Sequence, residues 1–580
     1  MFALIRLLSL LLALLLAAGA VHAQATDADD DDDDDAPPAA AHEPRAPPPN
    51  LPPLELTEPI LYEMLLGEIA LQRGSPGLAA QTYAELARRT KDPRIARRAV
   101  EIANFARTPQ YALEAARVWH EADPASLQAL QSLAGLLVGT RRVDEAEPYL
   151  VKLLAIDGAA AANGFMQLSR LLAANPDKQA NLRLVRNLAA QHPELPQARL
   201  ALAQAALAAN DEAGALAEAR RAAQLQPGWE AAAIFEAQVL QRKSPAAAGK
   251  SLAAFLEAYP KARDARLTYA RLLVSERKLT EARTEFTKLL AAHPDNTDVM
   301  YAVALLAAQL KDYATAETNL KRLLELGFRD PHGVRFTLGQ IAEENKDWQA
   351  ASDWYQSIES GEHFLPSRVR MASVLAKQGK LAEAREFLHK VNVTGEQRVQ
   401  LLIAEAQLLR EAHQNREAFD LLGKALEAQP EQPELLYDHA LTAEKLERFE
   451  VLEGNLRKLI QVKPDHAHAH NALGYSFAER NLRLPEARKL IERALELSPE
   501  DYYIIDSLGW VLYRQGDLKG AATQLRRAYV GRPDGEIGAH LGEVLWVMGE
   551  RAEAERIWDE SLKNHPDNET LQKTVKRLRR

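Results

Sequence analysis

The sequence predicts an all-α fold, a solenoid of about fifteen helical hairpins that ends in a capping helix. From Pro59 onward the 580-residue chain repeats itself with a period of 33 to 35 residues. Each period holds two apolar stripes at helical spacing, separated by a short polar turn such as Arg514–Asp517. A proline closes most periods and stops the second helix, as at Pro499 and Pro533. Two antiparallel helices in about 34 residues are typical of a helical repeat array.

The spacing of small residues predicts how the two helices of a period pack. A Leu-Gly pair in the first helix is followed by an alanine in the second: Leu473-Gly474 with Ala487, Leu508-Gly509 with Ala521, and Leu541-Gly542 with Ala554. We expect the glycine and the alanine to let the helices approach closely, while larger residues fill the remaining gaps. The predicted hairpins start near Ile60, Pro93, Leu127, Ala162, Pro196, Trp229, Arg263, Thr297, His332, Leu365, Val399, Pro433, Ala467, Tyr502 and Gly535.

This pattern resembles the tetratricopeptide-repeat family over residues 60–568. The resemblance implies a right-handed superhelix with a concave groove lined by the first helix of each hairpin, without a sheet or a pre-formed catalytic pocket. Single periods depart from the family pattern, because Asn181 and Leu452 stand where alanine is expected. We assign residues 56–568 to the superhelix and residues 569–580 to a charged, solubilising capping helix.

The first 55 residues are predicted to lie outside the repeat array. Residues 1–23 have the pattern of an export signal: Arg6, then the apolar run Leu7–Ala18, then the cleavage-site triplet Val21-His22-Ala23. The apolar run is shorter than the roughly 20 residues of a membrane-spanning helix, although an uncleaved anchor is the alternative. Residues 24–55 combine the run Asp29–Asp35 with eight prolines, which predicts a disordered linker. The predicted location is the periplasm. Association with the outer membrane is a further hypothesis.

The negative charge of the chain is concentrated in this linker. The formal net charge is −10, and residues 24–59 hold eight Asp and three Glu against one Arg. The repeat array from residue 60 onward is close to neutral, which argues against a nucleic-acid partner. The chain has no cysteine, so disulfides, thiolate metal sites and a cysteine-linked lipid are excluded. Membrane contact would therefore need a partner protein or an uncleaved signal.

The sequence shows no motif for catalysis or for cofactor binding. It has no phosphate-binding loop, no nucleophile elbow and no paired-histidine zinc helix. We therefore predict a protein that is not an enzyme and holds no cofactor, with an enzyme as the less favoured alternative. His466 and His470 lie one helical turn apart, a spacing that suits a transition metal. Because only Asp465 is evident as a third ligand, we predict no metal site there.

Aromatic and polar residues concentrate at positions of the last three hairpins that face the groove in this family. These candidate protein-binding residues are His468, Asn471, Tyr475, Tyr503, Asp506, Trp510, Tyr513, Arg514, Glu543 and Trp546. Only 6% of the residues are aromatic, so Trp510, Tyr513 and Trp546 at non-core positions indicate anchors for a peptide or protein partner. The alternative is that a tightly wound superhelix buries these rings against neighbouring turns.

A basic patch in the second hairpin is a further candidate site. Arg94, Arg97 and Arg98 occupy its second, fifth and sixth positions. Some tetratricopeptide domains clamp a partner's terminal carboxylate from the second and sixth positions of a repeat. The other half of such a clamp is missing, because Met64 and Glu68 stand where lysine and asparagine are expected. The patch is therefore a candidate for an acidic segment, such as this chain's own Asp run, or else a solvated helix face.

Both ends of the array resemble a family of periplasmic bacterial tetratricopeptide proteins, through Leu56–Tyr62, Ala87–Pro93, Leu473–Tyr475 and Leu508–Tyr513. One member is an outer-membrane lipoprotein that recruits a carboxyl-terminal processing protease and brings cell-wall hydrolases to it. The resemblance implies a non-enzymatic adaptor in the cell envelope, which holds two partners and raises their effective concentration. The chain departs from that family in lacking a lipidated cysteine. The alternative is an assembly factor for a pilus, secretion or polysaccharide-export machine.

Overall fold

The structure is a computed structural model that describes residues 55–155, 158–173 and 175–579. These ranges contain 31 helices and no strand, which confirms the predicted all-α class. The predicted export signal and nearly all of the predicted linker lie outside the described residues. The helices fall into two compact units, one reaching to Phe328 and the other running from Arg329 to the C-terminus.

The first unit contains sixteen helices among its described residues. They are α1 Glu58–Gln72, α2 Pro76–Thr90, α3 Pro93–Phe105, α4 Pro109–Ala122, α5 Leu127–Gly139, α6 Val143–Leu154, α7 Gly158–Ala173, α8 Lys178–Ala190, α9 Pro196–Ala208, α10 Glu212–Leu225, α11 Glu230–Gln241, α12 Pro245–Ala258, α13 Arg263–Ser275, α14 Leu279–Ala292, α15 Thr297–Gln309 and α16 Tyr313–Glu325.

The second unit contains fifteen helices within residues 329–579. They are α17 Pro331–Glu344, α18 Trp348–Gln356, α19 Phe364–Lys377, α20 Leu381–Lys390, α21 Glu396–Glu411, α22 Asn415–Ala428, α23 Pro433–Lys445, α24 Phe449–Val462, α25 Ala467–Glu479, α26 Leu484–Leu497, α27 Tyr502–Arg514, α28 Leu518–Gly531, α29 Gly535–Met548, α30 Arg551–Asn564 and α31 Glu569–Leu578.

Every odd-numbered helix up to α29 except α7 packs on the next helix as a hairpin, which makes fourteen hairpins within the described ranges. Helix α7 packs instead on α5, α6 and α9. Every first helix begins within four residues of its predicted start. Short turns join the two helices through a residue in the left-handed region, such as Lys311 at φ 62°. The following N–H, of Asp312, donates to the carbonyl of Ala307 at 2.8 Å. The Asp312 carboxylate then caps α16 by accepting from the Thr315 N–H.

The small residues of the repeat allow the helices of a hairpin to touch, as the sequence predicts. A Cβ added at Gly474 would lie 2.7 Å from Ile491 Cγ1 and 2.8 Å from the Ala487 carbonyl oxygen. The same contact at Gly509 involves Leu525, and at Gly542 it involves the Trp558 indole. The second-helix alanines Ala487, Ala521 and Ala554 are fully buried. The glycine in the first helix is therefore required by packing, since no side chain fits between the helices.

The two departures from the alanine pattern are both accommodated in the core. Asn181 is buried and accepts a 2.7 Å hydrogen bond from the Asn175 side chain, while its own Nδ2 donates to the Leu172 carbonyl at 3.0 Å. Leu452 is buried in the apolar core of the second unit. At Asn181, hydrogen bonds take the place of the close contact that alanine would make. At Leu452, an apolar side chain fills the same space.

Helix α31 covers the C-terminal hairpin. Leu571 is fully buried, and Arg577 Nη2 lies 2.5 Å from Glu543 Oε2 on α29. Arg579 Nη1 lies 2.8 Å from Asp559 Oδ1 on α30. These contacts attach one face of α31 to the last hairpin and leave its other charged side chains toward solvent, the arrangement expected of a solenoid end.

Candidate protein-binding groove

The first helices of the last hairpins converge on one face of the second unit. Tyr475 on α25 donates a 3.4 Å hydrogen bond to Glu536 Oε1 on α29, although these helices lie two hairpins apart. Such a contact needs the first helices to lie on the inside of a curved stack. The inner face of α25, α27 and α29, with α23 beside it, is called the α25–α29 groove below.

Trp510 is a packed component of the groove wall. Its indole stacks on His540 with ring centroids 4.2 Å apart, and its Nε1 donates to Glu479 Oε2 at 2.7 Å. Only 5% of its surface is exposed. Neighbouring hairpins therefore occupy the Trp510 ring in this structure and leave little of its surface for a partner. Burial against adjacent turns, the alternative, describes this residue.

His540 and Asp506 form a buried ion pair behind that indole. His540 Nδ1 lies 2.9 Å from Asp506 Oδ2, and both side chains are buried. Burial by itself would lower the pKa of His540, but the Asp506 carboxylate together with Glu536 and Glu479 outweighs burial, and the pKa is raised. The pair fixes the ring against which Trp510 packs.

Carboxylates from three hairpins face one another across the groove. Burial raises the pKa of Glu444 on α23, and the negative charges of Glu536 and Glu479 raise it further. Burial also raises the pKa of Glu536, with Asp506 adding to the effect. None of Glu444, Glu479 and Glu536 forms an ion pair within the described part of the chain. The groove therefore combines aromatic rings with negative charge.

Other aromatic rings at the groove keep part of their surface accessible. Tyr513 packs 5.1 Å from Trp510, and its hydroxyl donates to Glu543 Oε1 at 3.2 Å. Trp546 is half-buried, 5.5 Å from Trp558, with the Arg551 guanidinium 4.9 Å above its ring. Tyr503 is 44% exposed, and Arg532 lies 4.6 Å from its ring centre. These three rings, and not Trp510, present surface to a partner.

The remaining candidate residues of these hairpins fall into two groups. His468 is exposed, whereas Asn471 and Arg514 are half-buried; Arg514 lies 5.9 Å from the Trp510 ring. Glu543 is buried and paired with Arg577, so it supports the wall. The sequence interpretation did not single out His540 or Glu444, because their roles depend on contacts between hairpins. For His540, the signal in the sequence is that α29 carries acidic and aromatic residues close together.

The histidines at the start of α25 serve the backbone. His466 Nδ1 accepts from the Ala469 N–H at 3.1 Å and so caps the helix. His470 is buried, and its Nε2 lies 3.0 Å from the Pro464 carbonyl. Among the described residues, no group of three or more His, Cys, Asp or Glu side chains is placed to hold a metal ion.

The basic patch of the first unit is already paired with carboxylates. Arg98 Nε and Nη2 lie 2.9 and 3.0 Å from the two oxygens of Glu68, so the residue in the missing half of the clamp binds the arginine itself. Arg94 makes a similar two-point contact with the buried Asp92. Arg97 lies 3.0 Å from Glu101. A carboxylate clamp for a partner is thus not formed by these residues.

These pairs border a cleft of about 350 Å³ at the start of the array. Residues of α1, α2 and α3 and of the segments just before α1 and α3 line it: Leu56, Ile60, Met64, Tyr83, Asp92, Arg94, Ile95 and Arg98. The polar groups that line the cleft form hydrogen bonds with neighbouring side chains. Within the described ranges, every helix is too short or too polar to cross a bilayer.

Comparison with known proteins identifies the repeat. The family model described as Tetratricopeptide repeat matches residues 237–297, 270–332, 301–362, 437–502 and 480–536. A TPR repeat-containing protein of Pseudomonas aeruginosa, PA4667, is 35% identical over 529 residues, which cover 90% of this chain and 88% of that protein. Cellulose synthase operon protein C of Pseudomonas fluorescens is 25% identical over 335 residues, 47% of this chain and 26% of that protein.

Similar solved structures are also tetratricopeptide proteins. A thermophilic TPR protein of Thermus thermophilus, TTC0263, is 23% identical with a TM-score of 0.28, over 30% of this chain and 94% of that chain. A tetratricopeptide repeat protein of Parabacteroides merdae is 14% identical with a TM-score of 0.35, over 43% of this chain and 99% of that chain. With a relative 35% identical over most of both chains, the protein belongs to the tetratricopeptide-repeat family.

Proposed function

We propose that this protein is a non-enzymatic scaffold of the bacterial cell envelope that binds other proteins through the α25–α29 groove. Tetratricopeptide proteins bind proteins, and their fold families are generally non-catalytic. The observation that carries the proposal is the set of accessible rings, Tyr503, Tyr513 and Trp546, on the helices that form the groove. Aromatic side chains give large contact area for little loss of conformational freedom, so they are frequent anchors at interfaces.

The test of this site avoids Trp510, because replacing a buried tryptophan would unfold the region as well as remove a contact. We expect the double variant Tyr503→Ala/Trp546→Ala to bind captured envelope partners about tenfold or more weakly, the size of effect that anchor residues have. The matched control is Val530→Ala, which removes an apolar side chain that is 84% exposed on the second helix α28. Thermal unfolding of both variants shows whether folding is preserved.

Unchanged capture by the folded double variant would contradict the groove as the binding site. Equal loss with Val530→Ala would point to a non-specific surface effect. The measurement is affinity capture by the full chain from an envelope fraction, followed by titration of each purified partner.

The finer form of the proposal is an adaptor for a carboxyl-terminal processing protease and its cell-wall hydrolase substrates. The resemblance at both ends of the array supports it, and a repeat array that holds two partners raises their concentration for each other. Mass spectrometry of the captured proteins tests this form. A protease captured together with hydrolases is the expected result, and capture of neither would contradict it.

The second candidate is an assembly factor for a pilus, secretion or polysaccharide-export machine. The similarity to a cellulose synthase operon protein favours it, although this chain spans 26% of that relative. Machine components in the same capture experiment would support this candidate over the adaptor.

The proposed location is the periplasm, with outer-membrane association through a partner. The charged and apolar pattern of residues 1–23 supports export. Cell fractionation with detection of the chain's mass tests the location. A full-length product found only in the cytoplasm would contradict it.

A further inference from the structure

Helix α1 carries an apolar face that nothing in the described part of the chain covers. Its sequence is EPILYEMLLGEIALQ, with apolar residues on all sides, yet only Gly67 and Ala70 are buried. The side chains of Leu61, Tyr62, Leu65 and Ile69 are 44%, 66%, 52% and 46% exposed. At 100° per residue they fall on one face of the helix. These four residues are called the α1 stripe below.

An uncovered stripe is unusual at a solenoid end. A helix that is apolar all round is normally buried, and terminal repeats of solenoids normally turn a polar face outward. Helix α31 follows that rule, with Leu571 buried and charged residues exposed. Four large apolar side chains on α1 are typical of a protein interface.

We propose that the α1 stripe binds the α1 stripe of a second copy of this chain across a two-fold axis at Leu65. Leu61 and Ile69 lie four residues to either side of Leu65. In an antiparallel pair of helices, Leu61 therefore meets Ile69 of the second copy, and Leu65 meets Leu65. An isologous interface needs a surface that is complementary to itself in this way.

The charges around the stripe favour a second copy as the occupant. The other charged residues of α1 are used inside the unit, because Glu63 pairs with Arg89 and Glu68 with Arg98. Two exposed charges remain, Glu58 at the start of α1 and Arg73 at its C-cap. Neither takes part in an ion pair within residues 55–155, 158–173 and 175–579.

Glu58 and Arg73 lie seven and eight residues to either side of Leu65. The two-fold axis through Leu65 therefore brings Glu58 of each copy beside Arg73 of the other, so that two opposite-charge contacts flank the apolar stripe. Such an arrangement sets the register of an antiparallel pair and disfavours a parallel one, in which like charges would meet.

The experiment measures the association of the purified full chain by sedimentation and light scattering over a concentration series. The wild type is expected to be a dimer, and Leu65→Arg is expected to weaken dimerisation about 30-fold or more, as loss of a central contact does. The control Val530→Arg places the same charge at an exposed apolar site on α28 and is expected to leave the dimer intact. Because Leu65 is exposed, its variant should keep the wild-type unfolding midpoint.

Charge reversal tests the antiparallel register. Glu58→Lys and Arg73→Glu are each expected to weaken the dimer, and the double variant is expected to restore it. A monomeric wild type, or a dimer that tolerates Leu65→Arg, would overturn the proposal. Failure of the double variant to restore the dimer would overturn the register.

A photo-crosslinker at Tyr62 identifies the occupant in cells. Crosslinks between two copies through α1 are the expected result. Crosslinks to a different protein, or within one copy to residues 1–54, would overturn self-association as the use of the stripe.

Discussion

His540 shows how a single residue holds the α25–α29 groove together. It is buried with 3% of its surface exposed, pairs with Asp506, and supports the Trp510 ring. Glu536 and Glu479 add negative potential around it. A buried charge that loses its partner destabilises the fold. The packing of three hairpins therefore depends on the protonation of the His540 ring.

The pH dependence of stability tests this pair. Because the pKa of His540 is raised on folding, its interaction stabilises the fold fully below the unfolded pKa of about 6.5. This contribution is lost as pH rises through the folded pKa. We therefore expect the advantage of wild type over His540→Gln in unfolding midpoint to be largest below the unfolded pKa of about 6.5 and to shrink as the pH rises above it. Thermal unfolding of both chains across this range measures it, and a difference that is independent of pH would contradict the assignment.

Asn181 makes a second prediction at this scale. Asn181→Ala restores the alanine of the repeat pattern, and the pattern alone would suggest a gain in stability. The structure predicts the opposite, because the buried Asn175 side chain and the Leu172 carbonyl would lose their partner. We expect a loss of about 1–3 kcal/mol in the free energy of unfolding. The measurement is chemical denaturation, followed by a signal from the first unit. A neutral or stabilising result would contradict the hydrogen-bonded arrangement.

At the scale of helices, the hairpins depend on close approach between a glycine and the second helix. At Gly474 the obstacle includes the Ala487 carbonyl oxygen, which is backbone and cannot rotate away. At Gly454, in the middle of α24, a Cβ would meet nothing within 4 Å. A close helix contact therefore requires glycine at position 474 but not at position 454, although both glycines lie inside helices.

This contrast gives a matched pair of substitutions. Gly474→Ala is expected to destabilise the second unit by about 1–3 kcal/mol through overpacking. Gly454→Ala is expected to stabilise it by about 0.5–1 kcal/mol, since alanine favours a helix and nothing obstructs it. Denaturant unfolding of the two variants beside wild type measures both signs. Stabilisation by Gly474→Ala would show that α25 and α26 are farther apart than described.

At the scale of the whole molecule, the array is a series of neighbouring contacts. Within each unit the helices pack on their neighbours along the chain, and α31 ends the second unit by burying Leu571 against the last hairpin. Stability in such an array is a sum of local terms, so damage at one end should stay near that end.

Deleting residues 569–580 tests this locality. We expect faster amide hydrogen exchange in α29 and α30, because Leu571 no longer covers them and Glu543 loses Arg577. Burial of a leucine is worth about 1.5–3 kcal/mol, so local exchange should accelerate about tenfold or more. Peptides of α3–α6 in the same sample are the internal control and should be unchanged. A uniform increase over both units would contradict local coupling.

Most of the fold and part of the site were predictable from sequence. Local signals place the helices, because proline and aspartate at helix starts and left-handed turn residues act within a few positions of themselves. Gly474, Gly509 and Gly542 also indicate the close contacts of their hairpins, since each partner lies on the very next helix. Contacts between helices of different hairpins leave no such local pattern. The sequence therefore does not indicate the roles of His540 and Glu444.

The sequence by itself determined the all-α repeat, the starts of its hairpins and the small residues at their contacts, because these depend on helical periodicity and local sterics. Only the tertiary structure decided that Trp510 is packed on His540, that Arg94, Arg97 and Arg98 are neutralised, and that the α1 stripe is uncovered. It also decided the division after Phe328, through which the repeat period continues unchanged. These outcomes depend on which hairpins meet in space, and that is set by the curvature that many small packing contacts produce together.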